Sequence, residues 1–357
     1  MSRRGLVRRF VRFWLEGAQG YARGTRNVNH FDPIGIVGAG AWGVALAQSA
    51  ATGGRRVRLW GRDPEAMRRW REARSGDRLP GLTLAAAVQP TSDLADLADC
   101  GALLIATPAQ TTRAIAAALA AALGAPRPLV LCAKGIEAGS HAFLSDVLAE
   151  SAPGFPRAAL SGPSFAVDVA AGLPTAVTLA AEDEALAAAL AEALRAPNLR
   201  LYHSTDLRGV EIGGAAKNVL AIGCGVAAGL GLGASANAAL VARGFAELSR
   251  FAEAFGARPA TLMGLSGLGD LVLTCSSAQS RNFAFGAALG RGAEVAAASG
   301  GKLVEGAATA SALVALARER GVDMPISATV EALVAGRTHA RDVTAQLLAR
   351  PQKGEDL

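Results

Sequence analysis

A short apolar run, Ile34 to Val37, meets Gly38-Ala39-Gly40-Ala41-Trp42-Gly43, and a helical pattern then continues to Thr52. No other stretch narrows the possible folds so sharply, because it reads as strand, glycine turn, helix. In the GxGxxG pattern the first glycine makes the turn and the second lets backbone approach a pyrophosphate. The third lets helix and strand pack closely. The helix N-terminus then faces the phosphates. The pattern alone is weak in an alanine- and glycine-rich chain. The strand before it and the helix after it supply the context that makes it a dinucleotide site rather than a tight turn without a ligand.

The pattern continues beyond the turn. A second strand is expected at about Val57 to Trp60, and further apolar runs lie at Ala102–Ala106, Leu129–Ala133 and Ala158–Ser161. Helical stretches lie between them at Ala109–Leu123 and His141–Glu150. Strands alternating with helices imply a parallel sheet covered on both faces. After about Asp206 strand-like runs vanish, and Ala/Leu/Val stretches at helical spacing continue to about Ala349. The expected fold is α/β: an N-terminal Rossmann-type doubly wound domain at 31–205, then an all-helical C-terminal domain at 206–350. A basic extension at 1–30 and a polar tail at 351–357 flank them. A chain of 357 residues, 51% hydrophobic and 18% charged, is long and apolar enough for two such cores.

The segment GGAAKNVLAIGCGVAAGLGLG poses a separate question. The sixteen residues from Val219 to Ala234, which run one past its end, carry no charge. That is short for a bilayer span, and no second apolar segment of spanning length exists, so a buried core helix is expected. Lys217 and Asn218 stand at its entrance. A lysine beside an apolar helix needs a partner or a task, since burying its charge alone is costly.

The formal net charge of +6 sits in the extension. Residues 1–30 hold seven arginines and one glutamate, and the rest holds 29 basic and 29 acidic residues. The body therefore has no excess that would steer it to nucleic acid. The extension reads as disordered or as a start codon assigned too early. The other reading is a basic amphipathic helix, with Phe10, Phe13, Trp14 and Leu15 among the arginines, touching anionic lipid weakly without inserting. Cys100, Cys132, Cys224 and Cys275 have no metal-ligand spacing, so no metal is expected, and they read as buried thiols in a reducing, cytoplasmic compartment.

The second strand ends Trp60-Gly61-Arg62-Asp63. Sites for NAD commonly place an acid near here, whereas an arginine can pair with a 2′-phosphate. NADP or NAD is expected as cofactor, with NADP favoured; the alternative is an exposed Arg62 beside an Asp63 that merely caps a helix. Four further segments have unusual local chemistry: LCAKGIE puts Lys134 and LSGPSFA puts Ser164 at expected strand ends, GGAAKN supplies Lys217 and Asn218, and LSGLGDLVLTCSSAQSRN supplies Asp270, Thr274, Ser280, Arg281 and Asn282. Each taken alone is more often a surface lysine, a turn or a cap.

Together with the glycine turn, these segments resemble the bacterial-type NAD(P)-dependent glycerol-3-phosphate dehydrogenases, from about Ile34 to beyond Glu305. The motifs are GAGAWG, AKGIE, SGPSFA with GLPTAV, GAAKNV with GLGLG, SGLGDL with TC and SRN, and LVEG. The resemblance implies reduction of dihydroxyacetone phosphate to sn-glycerol 3-phosphate, with the product feeding phospholipid synthesis. It places Lys217 as general acid/base, with Asp270 and Lys134 beside it. It places Gly162, Ser164, Asn218, Thr274, Ser280, Arg281 and Asn282 at the substrate. It places Ala41, Trp42, Arg62, Lys134, Ala166, Arg281, Leu303 and Glu305 at the cofactor with Gly38, Gly40 and Gly43. A homodimer is implied as well.

Three departures from the family pattern stand out. Ala41 replaces a frequent serine, GLGASANAAL lacks a polar residue just after GLG, and Val167-Asp168 replaces a frequent acidic pair. None removes a catalytic group. The rival readings are a two-domain reductase for a 3-hydroxy acid, a nucleotide sensor without catalysis, and a lipid-surface adaptor acting through residues 1–30.

Overall fold

The computed structural model describes residues 31–343. The extension at 1–30, the last residues of the expected helical domain and the tail at 351–357 lie outside the described residues. The first part of the chain is built on β1 (Ile34–Val37), α1 (Ala41–Thr52), β2 (Val57–Trp60), α2 (Pro64–Ala73), β3 (Val88–Thr91), β4 (Ala102–Ile105), α3 (Thr112–Leu123) and β5 (Leu129–Leu131). It continues with α4 (Leu144–Ser151), β6 (Arg157–Ser161), α5 (Ala166–Ala170), β7 (Thr175–Ala181), α6 (Glu184–Ala193) and β8 (Leu199–Ser204).

These strands form one eight-stranded sheet in the order β3-β2-β1-β4-β5-β6-β7-β8. β1, β4 and β5 are buried along their whole length, as strands covered on both faces must be. Apolar clusters carry the cover. Val44, Leu59, Leu104 and Leu179 belong to one; Leu103, Leu119, Leu129 and Leu148 belong to another. The chain crosses between β1 and β4, so the carboxyl ends of these two strands open the crevice where doubly wound folds bind ligands.

The sheet corrects the expectation of an all-parallel arrangement. β6 and β7 run antiparallel, with Ala158 opposite Ala181, and all other pairs run parallel. β3, β7 and β8 also go beyond the strands read from the sequence. The chain leaves β6 through a sharp turn at Gly162 and the five-residue α5, too little for a full crossover.

From Leu207 onward the described residues are helical: α7 (Leu207–Gly229), α8 (Gly233–Ala254), α9 (Pro259–Leu262), a π-helical turn (Leu265–Gly269), α10 (Asp270–Cys275), α11 (Arg281–Gly290), α12 (Val295–Ser299), α13 (Glu305–Glu319) and α14 (Pro325–Val334). α7 contains the apolar segment singled out above. It is long and apolar enough to cross a membrane by length and composition, yet 83% of its most apolar window is buried within the protein. α8, α11, α13 and α14 surround it. The approach of α11 is close because glycines face backbone: a Cβ on Gly225 would lie 2.1 Å from the Phe283 carbonyl oxygen. A Cβ on Gly286 would lie 2.1 Å from that of Ile222.

α7 is also fixed at its start. The Asp206 carboxylate accepts the Gly209 N–H at 2.9 Å and, through its other oxygen, the Arg258 N–H at 2.8 Å. That N-cap satisfies one of the free donors of the first turn and ties α7 to the approach of α9. Glu211 accepts from the Ser145 N–H at 2.7 Å, and Arg208 donates to Asp146 at 2.8 Å, which bolts α7 to α4 of the sheet half.

Candidate active site

The carboxyl ends of β5 and β6 deliver Lys134 and Gly162, while α7 and α10 deliver Lys217, Asp270 and Thr274. A pair of glycines lets α7 come that close. A Cβ on Gly214 would sit 2.9 Å from Ser161 Oγ and 3.2 Å from Lys134 Cγ; one on Gly213 would sit 2.5 Å from the Ser266 carbonyl oxygen. Lys217 follows at i+3 and i+4 from these glycines, so it projects from the same helix face. The π-helical turn precedes Asp270, a placement frequent at functional sites.

Asp270 is the centre of the cluster and is 1% exposed. One carboxylate oxygen accepts from Lys217 Nζ, and the other accepts from Lys134 Nζ at 2.6 Å. Lys217 also donates to Thr274 Oγ1 at 2.8 Å, whose hydroxyl donates back to the Asp270 carbonyl at 2.6 Å. Lys134 donates further to the Gly162 carbonyl at 3.1 Å, and Ser164 Oγ donates to the same oxygen at 3.0 Å. One carboxylate therefore grips one lysine from each half of the molecule.

The charges explain the proton affinities. Burial is the main force on Lys217; Asp270 opposes it and Lys134 reinforces it, and the ammonium is left with its pKa lowered to about 8. Burial alone would push the Asp270 carboxyl up. The ammonium groups of Lys134 and Lys217 outweigh it and hold the carboxyl below the usual range. With both lysines protonated the cluster carries a net positive charge, which suits an anionic substrate.

Asn218 and Asn282, for which the resemblance implies a place at the substrate, are buried and brace the frame. Gly306 N–H donates to Asn282 Oδ1 at 3.0 Å, Asn282 Nδ2 to Asn218 Oδ1 at 2.9 Å, and Asn218 Nδ2 to the Lys134 carbonyl at 3.0 Å. The relay joins α13, α11, α7 and the loop after β5. Each amide keeps one N–H outside it. Ser280 is buried and caps α11, accepting the Phe283 N–H at 3.2 Å. Arg281 is the first residue of that helix; it is exposed, with Nη1 3.5 Å from the Leu303 carbonyl.

The glycine turn fits a dinucleotide phosphate. Gly38 has φ 117°, where a side chain is strained. A Cβ on Gly43 would lie 1.8 Å from the Gly38 carbonyl oxygen, whereas one on Gly40 would meet nothing within 4 Å. Bare backbone at Gly40 thus faces open space beside the α1 N-terminus, and no side chain caps that helix. Ala41, Trp42 and Ala166 are partly buried and pack against an apolar core of the sheet half. Arg62 is exposed after β2, and Asp63 caps α2 through the Glu65 and Ala66 N–H groups at 3.0 and 3.2 Å. Leu303 is 43% exposed. Glu305 is half-buried, and its carboxyl is raised by burial against the pull of Arg281 and the Ala109 N–H.

The sequence reading passed over Thr107 and Ser161. Thr107 follows β4 at the crevice; its Cγ2 lies 3.0 Å from where a Gly38 Cβ would be. Its buried hydroxyl has no hydrogen-bond partner among the described residues, and the same holds for Ser161 Oγ beside Lys134. The signal that could have found both is position, since each stands at the carboxyl end of a central strand.

Family comparison agrees with this geometry. Residues 33–187 match the model of the NAD-dependent glycerol-3-phosphate dehydrogenase N-terminus, and residues 206–345 match that of its C-terminus. A protein of Azorhizobium caulinodans named glycerol-3-phosphate dehydrogenase (NAD(P)+) is 60% identical over 326 residues, covering 91% of this chain and 99% of its own. A protein of the same name from Methylobacterium radiotolerans is 58% identical over 325 residues, covering 90% and 98%. The crystal structure of glycerol-3-phosphate dehydrogenase from Coxiella burnetii superposes with a TM-score of 0.86 at 35% identity, covering 90% of this chain and 100% of that one. The chain belongs to the NAD-dependent glycerol-3-phosphate dehydrogenase family.

Proposed function

We propose that this chain catalyses the reversible NAD(P)H-dependent reduction of dihydroxyacetone phosphate to sn-glycerol 3-phosphate, supplying the glycerol backbone for phospholipid synthesis. The observation that carries this reading is the Asp270 carboxylate holding Lys217 and Lys134 together at the crevice beside the glycine turn.

The nicotinamide supplies the hydride when bound. Lys217 gives its proton to the substrate oxygen at C2 during reduction and takes it back during oxidation. Its positive charge, with that of Lys134, stabilises the negative charge developing on that oxygen. Asp270 and Thr274 aim the Lys217 ammonium, and Gly162 and Ser164 border the same space. Arg281, at the start of α11, pairs with the substrate phosphate, and Ser280, Asn282 and Asn218 hold that region in place. Gly38, Gly40, Ala41, Trp42, Gly43 and Ala166 would hold the cofactor phosphates and nicotinamide half, with Lys134, Arg281, Leu303 and Glu305 closing over them. Arg62, free of ion pairs among the described residues, would meet a 2′-phosphate and favour NADPH.

A homodimer is part of the proposal. Its support is an exposed face of small apolar residues on α8, including Ala234, Ala238 and Ala242, beside the exposed Leu232. Light scattering on the eluted protein should give about twice the chain mass; a monomer mass would remove this element alone. A cytoplasmic location is proposed on the four free, buried cysteines.

The test of function is a steady-state assay of NADPH and NADH oxidation with dihydroxyacetone phosphate, set against a 3-oxo acid. Turnover confined to the phosphorylated ketone supports the reading. Turnover with the 3-oxo acid alone, or cofactor binding without turnover of either, overturns it.

A further inference from the structure

Lys134 must be held as firmly as Lys217 if one carboxylate is to bridge them, and its loop has no regular secondary structure of its own. Residues just after β5 are held from the turn that follows β4. Gln110 Nε2 donates to the Ile136 carbonyl at 2.8 Å, and Gln110 Oε1 accepts the Ala138 N–H at 2.9 Å. Both ends of one amide thus clasp the Lys134 loop from the end of the neighbouring strand. The seat is tight, since a Cβ on Gly135 would lie 2.8 Å from the Ala109 Cβ. One turn further on, Arg113 makes a forked pair with Glu137, with contacts of 3.0 and 2.7 Å. Gln110 itself is exposed and belongs to no apolar core.

An exposed glutamine that uses both its donor and its acceptor on one loop is poorly explained by stability alone. Hydrogen bonds at the surface contribute little there, whereas misplacing a reacting group is costly. We infer that Gln110 is a positioning residue for the proposed reaction: by clasping Ile136 and Ala138 it sets where the Lys134 ammonium meets Asp270, without touching substrate or cofactor itself.

This inference rests on the function proposed above, and its consequence is specific. Lys134 depresses the Lys217 pKa through its own charge. When the loop loosens and Lys134 drifts from Asp270, Lys217 loses that repulsion and keeps Asp270 to itself, so its proton is held to higher pH. A variant that merely weakened the fold would not move that titration.

The experiment compares wild type with Gln110→Ala, which loses both bonds, and Gln110→Glu, which keeps the acceptor for Ala138 but sets a carboxylate against the Ile136 carbonyl. Wild-type turnover with dihydroxyacetone phosphate comes first, and its failure would overturn the proposed function rather than this inference. In Gln110→Ala, kcat/KM for dihydroxyacetone phosphate should fall about 10-fold or more, by a larger factor than any loss of NADPH affinity, with melting temperature little changed. The pH profile of glycerol 3-phosphate oxidation should shift toward higher pH, and Gln110→Glu should do the same. An active wild type whose variants keep both kcat/KM and the pH profile would overturn the positioning role. A loss of activity matched by an equal loss of cofactor binding or thermal stability, with the profile unmoved, would overturn it too.

Discussion

Burial and Asp270 pull the Lys217 proton in opposite directions, and burial prevails, to a pKa of about 8. The sign of the pH dependence follows. If Lys217 is the proton donor, reduction needs the protonated lysine, so kcat/KM should fall as pH rises through about 8. On the same role oxidation needs the neutral lysine, so its kcat/KM should rise through the same region and then level. Stopped profiles in both directions check this, and profiles that run parallel would contradict it. At Arg281 the expectation is different: Arg281→Ala should mainly raise KM for the phosphorylated substrate, because pairing present in the bound state is lost. An unchanged KM would place the phosphate elsewhere. Lys134 was legible as a lysine at a strand end, and Lys217 and Asp270 as charged residues in apolar sequence, although Lys217 lies in the middle of α7 rather than at the helix entrance expected from the sequence. Their sharing of one carboxylate was not, because nothing in the sequence states that Lys134 and Asp270, 136 residues apart, lie within 2.6 Å. The bracing by Asn218 and Asn282 was hidden for the same reason, since an asparagine in a motif reads alike whether it binds ligand or frame.

Helices and strands show where local pattern suffices. β1, β2, β4 and β5 are short apolar runs bounded by turns, and they appear where the sequence puts them. β3 carries Pro90, tolerated because it lies at the edge of the sheet, and so lacks a strand signature. β7 reads TAVTLAA, whose alanines suit helix as well as strand. β8, at the other edge, reads LRLYHS and alternates apolar and polar residues only over its first three positions. The helix that the α7 glycines pack against, α11, was not legible, because nothing local marks it as their partner. Gly225→Val should force these helices apart at the Phe283 carbonyl, costing about 1–3 kcal/mol or more, as overpacking does. Urea unfolding should show a lower midpoint, and an unchanged midpoint would contradict the close crossing.

At the scale of the whole molecule, the site exists only because the sheet half and the helical half are bolted together. The same α7 that meets α4 through Glu211 and Arg208 carries Lys217 to Lys134. A cofactor that binds the folded sheet half should therefore protect the entire chain. At about 100 times its Kd, NADPH should add about 2.7 kcal/mol of stability, read as a single melting transition moving upward. Two transitions, with only one shifted, would mean that the halves unfold independently. The most direct test of the central claim is steady-state reduction of dihydroxyacetone phosphate by wild type and Lys217→Ala, with NADPH affinity measured on both by fluorescence. If Lys217 is the proton donor, kcat should fall by at least about 10²-fold while NADPH affinity stays nearly the same. Near-normal turnover in the variant would contradict the account.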